Sequence, residues 1–155
     1  EFYGQYFDVV ICNDSGLYFE ELDFEDLRQP GLNIRTPMNM DRLSDEEMID
    51  YYSKLIAGLG GKVTAYYLDG IAVYNHGVIS SFMDNMAAQK NGLFYMIDKA
   101  SSKRFEGWPL DSLSINKENG KYFVDGSIEE SKENIIKDQY QKSVVDFLIK
   151  SLHIA

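Results

Sequence analysis

The sequence predicts an α/β fold: a mixed, twisted sheet containing an antiparallel meander, with helices packed on its faces. Three observations carry this expectation. Ser44-Asp45-Glu46-Glu47 opens an apolar stripe at helical spacing. Short β-prone runs recur between Phe7 and Ile97, separated by turn residues. A second amphipathic stretch, Tyr140 to Leu152, closes the chain.

Taken in order, residues 1–6 read as the tail of a helix. Phe7 to Cys12 is short, rich in β-branched residues and bounded by turn formers, which predicts a buried strand. Leu17 to Leu22 fits a second short strand or a helical turn. Residues 23–43 read as irregular, punctuated by Pro30, Gly31 and Pro37. Ser44 and Glu47 have the spacing of a capping box, a hydroxyl at the cap and a carboxylate three residues on. Met48, Tyr51, Tyr52, Leu55, Ile56 and Leu59 then follow a helical period, and Gly60-Gly61 predicts the stop. The Met and Tyr stripe reads as core.

Val63 to Leu68 is apolar and β-prone. Asp69-Gly70 is a hairpin signal, and Ile71 to Tyr74 reads as the returning strand. Val78 to Met83 and Leu93 to Ile97 predict further strands, with a polar loop over 84–92 between them. Tyr122-Phe123-Val124 is a short strand candidate, and Ser127 to Asn134 an acidic helical turn. Neither repeats nor low-complexity segments occur.

Composition excludes several classes. With 45% hydrophobic and 14% aromatic residues, the 155-residue chain carries enough apolar surface for a core and is not a disordered polymer. No apolar run approaches the ~18 residues of a spanning helix, so no membrane partner is expected. A net charge of −10 argues against nucleic-acid binding, which relies on cations neutralising phosphates. It leaves room for a small anionic nucleotide bridged to carboxylates by a divalent ion. Cys12 stands alone and cannot form an intrachain disulfide, which fits a reducing cytoplasm. His76 and His153 are far apart, without zinc-ligand spacing, and neither is assigned chemistry. Glu1-Phe2-Tyr3-Gly4 starts almost inside an element, so residues 1–155 are expected to be one domain, the larger C-terminal part of a longer one.

Asn13-Asp14-Ser15-Gly16-Leu17, entered from Val9-Val10-Ile11-Cys12, is the most informative run. An apolar strand that ends in an acid, a hydroxyl and a glycine places an acceptor at the mouth of a sheet, where α/β folds hold ligands. The same residues also make an ordinary turn, with Asp14 as its cap.

Pro30-Gly31 with Arg35 behind it, the capped helix, the hairpin, Gly107-Trp108-Pro109-Leu110-Asp111 and the final helix follow in that order. Together with the Asn-Asp-Ser-Gly-Leu run they resemble the noncanonical purine nucleoside triphosphate pyrophosphatases, the inosine triphosphatase or Ham1 family. The resemblance implies an inosine-triphosphatase-like fold. It further implies hydrolysis of ITP, XTP or dITP to monophosphate and pyrophosphate, dependence on Mg²⁺, and a homodimer. Asp14 matches the family's catalytic carboxylate. Asn13 stands where the family has another acid, and the pair is the implied metal site. Ser15 and Gly16 would offer a hydroxyl and an N–H to phosphate. Arg35 would clamp phosphate or lie at the dimer face. Trp108 would present a stacking face to a purine, the alternative being a core tryptophan. The expected cleft lies where Asp14 and Trp108 approach.

Two departures weigh on this likeness. The family's Ser-His-Arg would fall near Lys137-Asp138-Gln139, where only Lys137 and Gln139 are left to donate to a 6-oxo group. The family's Thr/Ser-x-Asn-x-x-Lys phosphate loop and metal-binding Glu have no counterpart before Asn13. The alternatives are a nucleotide-binding relative without turnover, or an interaction module using Tyr66, Tyr67 and Tyr74.

Overall fold

The computed structural model describes residues 2–83, 92–126 and 139–154, the last segment with side chains from residue 142. A five-stranded sheet forms its centre. The strands are β1 (Val9–Phe19), β2 (Lys62–Asn75), β3 (Val78–Met83), β4 (Phe94–Ile97) and β5 (Ser114–Ile115); the helices are α1 (Asp45–Gly58) and α2 (Gln139–Leu152). Every strand pair among the described residues is antiparallel. The long strand β2 organises the rest. Along its full usable length it pairs with β1, from Val9 opposite Asn75 to Phe19 opposite Ala65. Its other edge is shared: β4 takes Lys62 to Ala65, and β3 takes Gly70 to Asn75.

Two turn expectations fail here for one reason. Asn13 to Gly16 is not a strand end, and Asp69-Gly70 is not a hairpin. They lie opposite each other inside the β1–β2 ladder, Asp14 facing Gly70 and Ser15 facing Asp69. Local turn preference amounts to a few tenths of a kcal/mol to ~1 kcal/mol, and continuous cross-strand pairing on both sides overrides it. The hairpin turn falls instead at His76-Gly77, both at positive φ (44° and 91°), which suits the tight two-residue connection between Asn75 and Val78. The Leu17 to Leu22 segment divides accordingly, with Leu17 to Phe19 completing β1.

Smaller elements also shift. Residues 3–5 form a single 3₁₀ turn in place of a helix tail. Tyr122 makes one bridge to Ile115 and leads into a 3₁₀ turn over Phe123–Asp125 instead of a strand. The short strand β5 carried no sequence signal. The acidic turn expected over Ser127 to Asn134 lies outside the described residues, as does most of the 84–92 loop. The helices match expectation. In α1 the capping box is complete: Ser44 Oγ accepts from Glu47 N–H, and the Glu47 carboxylate accepts from Ser44 N–H at 2.8 Å. Gly60 and Gly61, at φ 105° and 85°, end it.

The main core gathers where β1, β2, β4 and α1 meet. Leu17, Phe19, Val63, Ala65, Phe94 and Met96 supply one sheet face, and Met48, Ile49, Tyr52 and Ile56 supply the helix. Leu110 and Leu113 close it from the segment after Trp108. At the other end of the sheet, α2 lies against β2 and β3. Phe147 meets Phe82 at 5.6 Å between ring centroids, and Asn75 Nδ2 donates to the Ser151 carbonyl. The candidate site sits between these ends.

Candidate functional site

A cleft of about 420 Å³ opens at the edge of the core. Three elements and two loops line it: β1 through Ser15, β2 through Tyr67 and Asp69, α1 through Met48, and the loops through Ile34-Arg35 and Gly107 to Asp111. Strand alternation explains its strand-borne residues. Ser15, Leu17 and Phe19 share one face of β1, and their partners Asp69, Tyr67 and Ala65 share the same face of β2. Leu17, Phe19 and Ala65 are buried in the core, and two residues further along, the same face turns polar. There Ser15 Oγ donates to Asp69 Oδ1.

Tyr67 lies between the polar and apolar parts. Its ring stacks on Phe94 at 5.6 Å, and 39% of its surface remains open to the concave cleft. Burial, then the negative charges of Asp111 and Asp69, push its hydroxyl pKa up to about 12. Burial likewise raises the Asp111 carboxyl above its ordinary range.

The far wall is a loop held from outside. Arg35 Nη1 pairs with Asp45 Oδ1 at 2.9 Å, and Arg35 Nη2 donates to the Gly107 carbonyl at 3.2 Å. Gly107 N–H in turn donates to Asp45 Oδ2 at 2.8 Å. That hydrogen bond, followed by the Arg35 guanidinium, holds the Asp45 carboxyl below its ordinary value. Gly107 sits at φ 82°, a left-handed conformation that favours glycine, and it swings the chain so that Trp108 stands 64% exposed at the cleft mouth. Pro109 to Ser112 then form a 3₁₀ turn in which Asp111 N–H donates to the Trp108 carbonyl.

The cleft thus brings together Ser15, Arg35 and Trp108 from separate parts of the chain. Arg35 is engaged with protein groups, holding the Trp108 loop. Asp14 is not part of this wall. It alternates to the opposite face of β1, exposed, with an Oδ1 that accepts from Ser15 N–H at 2.9 Å. The expected approach of Asp14 to Trp108 is therefore made by Ser15 and Asp69 instead. Gly16 lies on the Asp14 face, where the Tyr18 ring covers it. Leu17 exchanges backbone hydrogen bonds with Gly31, so alternation turns the Gly16 amide toward Leu68 of β2 and away from the cleft. Lys137 lies outside the described residues. Gln139 opens α2, and its side chain is not described.

Asn13 and Asp14 do not form a chelating pair in this geometry. As neighbours in an extended strand they project to opposite faces. Among the described residues no group of three or more His, Cys, Asp or Glu is gathered to hold a metal ion. Among the described residues, Asn13 and Asp14 therefore do not by themselves make a metal site.

The sequence offered Tyr67 for an interaction surface and Asp69 for a turn, and gave neither a place in this cleft. Each carried a different local signal, one of a β-prone run and the other of a turn. Only the β1–β2 register places Asp69 beside Ser15.

The same architecture occurs in solved proteins. The structure overlays that of the Staphylococcus aureus Ham1 protein at a TM-score of 0.59, with 19% identity over 94% of this chain and 67% of that one. The fold is Ham1-like. The HAM1 protein from Coxiella burnetii matches at TM-score 0.58 and 14% identity, covering 88% of this chain and 66% of that one. A nucleoside-triphosphatase / dITP/XTP pyrophosphatase from Mycobacterium abscessus matches at 0.59 and 11%, covering 92% and 64%. This chain spans about two thirds of the length of these Ham1-like structures. No protein-family model matches the sequence, and no curated protein matches it. No helix among the described residues is long and apolar enough to cross a membrane.

Proposed function

We propose that this chain binds noncanonical purine nucleoside triphosphates of the ITP, XTP and dITP type and hydrolyses them to the monophosphate and pyrophosphate, as a homodimer in the cytoplasm. The supporting observation is the cleft itself. On a Ham1-like fold, an exposed tryptophan, a hydroxyl–carboxylate pair and a second carboxylate converge from distant parts of the sequence. The Mycobacterium abscessus neighbour is described as a dITP/XTP pyrophosphatase.

In this proposal the purine stacks on Trp108, a contact worth about 1–3 kcal/mol per base. Asp14 is the proposed carboxylate for orienting the attacking water; because it lies on the face of β1 away from the cleft, this role requires the triphosphate to extend past the strand to that outer face. Ser15 and Gly16 flank it. Arg35 acts by holding the Gly107-Trp108 loop, and Lys137 and Gln139 are further proposed substrate contacts. Mg²⁺ enters as the counter-ion of the triphosphate, since Asn13 and Asp14 diverge.

A binding-only relative is the second reading. It is favoured by Arg35, whose guanidinium is committed to Asp45 and Gly107, and by the separation of Asp14 from the cleft. Pyrophosphate release from ITP with Mg²⁺, measured beside Asp14→Asn, separates the two. Release that disappears in the variant supports the hydrolase. Binding of ITP to a folded chain without release establishes the second reading. Neither binding nor release removes both. Light scattering of the same sample tests the dimer.

A further inference from the structure

The outer edge of β1 is closed at one end only. There Leu17 and Gly31 exchange backbone hydrogen bonds at 3.0 and 2.8 Å. On the side of β2, His76 N–H donates to the Asp8 carbonyl at 2.8 Å. Backbone groups of an antiparallel strand alternate between its two edges. Those of Val9, Ile11 and Asn13 therefore turn outward with Leu17, while those of Asp8, Val10 and Cys12 turn toward β2. Among the described residues the N–H and C=O of Val9, Ile11 and Asn13 have no backbone partner. Ser15 N–H, next in the outward series, is taken by Asp14 Oδ1. The side chains are open as well: Val9 is 44% and Ile11 51% exposed, and Cys12 and Asn13 are exposed.

Native edges are blunted by proline, lysine, a bulge or a covering segment. Val9-Val10-Ile11-Cys12-Asn13 contains neither proline nor lysine, and its pairing with β2 runs without a bulge from Val9 to Phe19. Such an edge is a template that an incoming strand completes by main-chain hydrogen bonds.

Charge selects the strand. Asp8 and Asp14 bracket the open stretch and lie on one face of the sheet. Neither pairs with Lys or Arg among the described residues, and Asp8 lies 4.0 Å from His76 with both side chains largely exposed. The whole chain carries a net charge of −10, so a second copy approaching this edge is repelled and a strand with cations at both ends is attracted.

We propose that the edge of β1 between Asp8 and Asp14 is a docking site for an extended basic peptide, which adds to the sheet as an antiparallel strand. Its lysines or arginines face Asp8 and Asp14, and its apolar residues lie beside Val10, Ile11 and Cys12. Antiparallel addition continues the pairing found between all described strands and is slightly stronger per residue than parallel pairing. The site is independent of what fills the Trp108 cleft.

The probe is a fluorescein-labelled peptide, Lys-Thr-Val-Val-Val-Thr-Lys with blocked ends, titrated against the folded chain and read by anisotropy. In the antiparallel register its first and last lysines face Asp14 and Asp8, and its fourth residue faces Ile11. An N-methyl group on the fourth residue removes the N–H that the Ile11 carbonyl accepts and places a methyl group against the edge. On the fifth residue, which faces Val10, the methyl group points away from β1. The first methylation is expected to weaken binding about tenfold or more, the second less than about threefold. Ile11→Pro removes an outward N–H that the fold does not use and produces the same loss from the protein side. Equal loss from both methylations, undiminished binding to Ile11→Pro, or absence of peptide binding overturns the proposal. Sedimentation in which Ile11→Pro converts a dimer to a monomer gives the edge to a second copy and also overturns it. The methylated pair decides the question on the native chain even where Ile11→Pro fails to fold.

Discussion

Arg35 and Asp45 form an ion pair at 2.9 Å, and each also holds Gly107, one by its carbonyl and the other by its N–H. The loop before α1, the first residue of α1 and the distant Gly107 are closed into one ring of polar contacts, and Trp108 stands at its edge. The pair therefore sets the position of the aromatic wall of the cleft.

Arg35→Ala frees that loop. Holding it in the bound geometry then has to come from ligand binding, at ~0.5–1.5 kcal/mol per ordered side chain, so affinity for a purine nucleotide falls about 2- to 10-fold. Fluorescence anisotropy of Trp108 falls in the free protein. Unchanged anisotropy would show that the loop is positioned by Pro109 and Leu110 packing alone.

Acid stability follows from the same site. The Asp45 carboxyl has its folded pKa depressed below 3.8, chiefly by the Gly107 hydrogen bond and then by Arg35. Such a group contributes stability that is fully present above pH ~3.8 and is lost as pH falls through the lower folded value. Asp26, held down to about 2 by Arg28, acts in the same direction. Asp111 has the opposite sign: its raised folded pKa means that ionisation disfavours the folded state as pH rises past its ordinary value. Denaturant midpoints measured from pH 2 to 5 are expected to rise with pH less steeply in Asp45→Asn and more steeply in Asp111→Asn than in the native chain.

Tyr52 is fully buried, and its hydroxyl donates to the Ile34 carbonyl at 2.9 Å. Tyr52→Phe leaves that carbonyl without its donor and costs about 1–2 kcal/mol, a drop of roughly 2–8 °C in Tm. Because Ile34 precedes Arg35 in the cleft wall, nucleotide affinity is expected to weaken along with stability. A thermal melt and a Trp108 titration on one sample check both.

On the opposite face of β1, Tyr18 stacks on Phe24 at 5.0 Å and on Tyr66 at 5.7 Å. A Cβ on Gly16 would come within 2.7 Å of the Tyr18 ring. Gly16→Ala therefore displaces Tyr18 from this stack and destabilises the fold by about 1–3 kcal/mol. Since the cleft is on the other face, purine quenching of Trp108 is expected to stay near native. A Gly16→Ala protein as stable as the native chain would show that the stack rearranges freely.

Elements governed by short-range rules could be recognised without coordinates. The capping box of Ser44 and Glu47, the stripe of Met48, Tyr52 and Ile56, and the glycine stop describe α1 because each involves residues within a turn or two of one another. The strand Val78–Met83 and the C-terminal helix matched for the same reason. Trp108 beside Gly107 was visible as an aromatic on a turn, and it does stand exposed at the cleft.

The amino-acid sequence by itself determined the α/β composition, both helices, most strand segments, and the candidacy of Ser15, Arg35 and Trp108. Tertiary structure alone decided what Asn-Asp-Ser-Gly and Asp-Gly become. Apart, each is a turn; paired across β1 and β2, they are the middle of a ladder that joins Ser15 to Asp69 and sends Asp14 to the other face. The physical reason is range. Turn preference is a property of four residues, whereas strand register is set by apolar faces meeting across the sheet, and shifting it by one position exchanges every side chain between cleft and solvent.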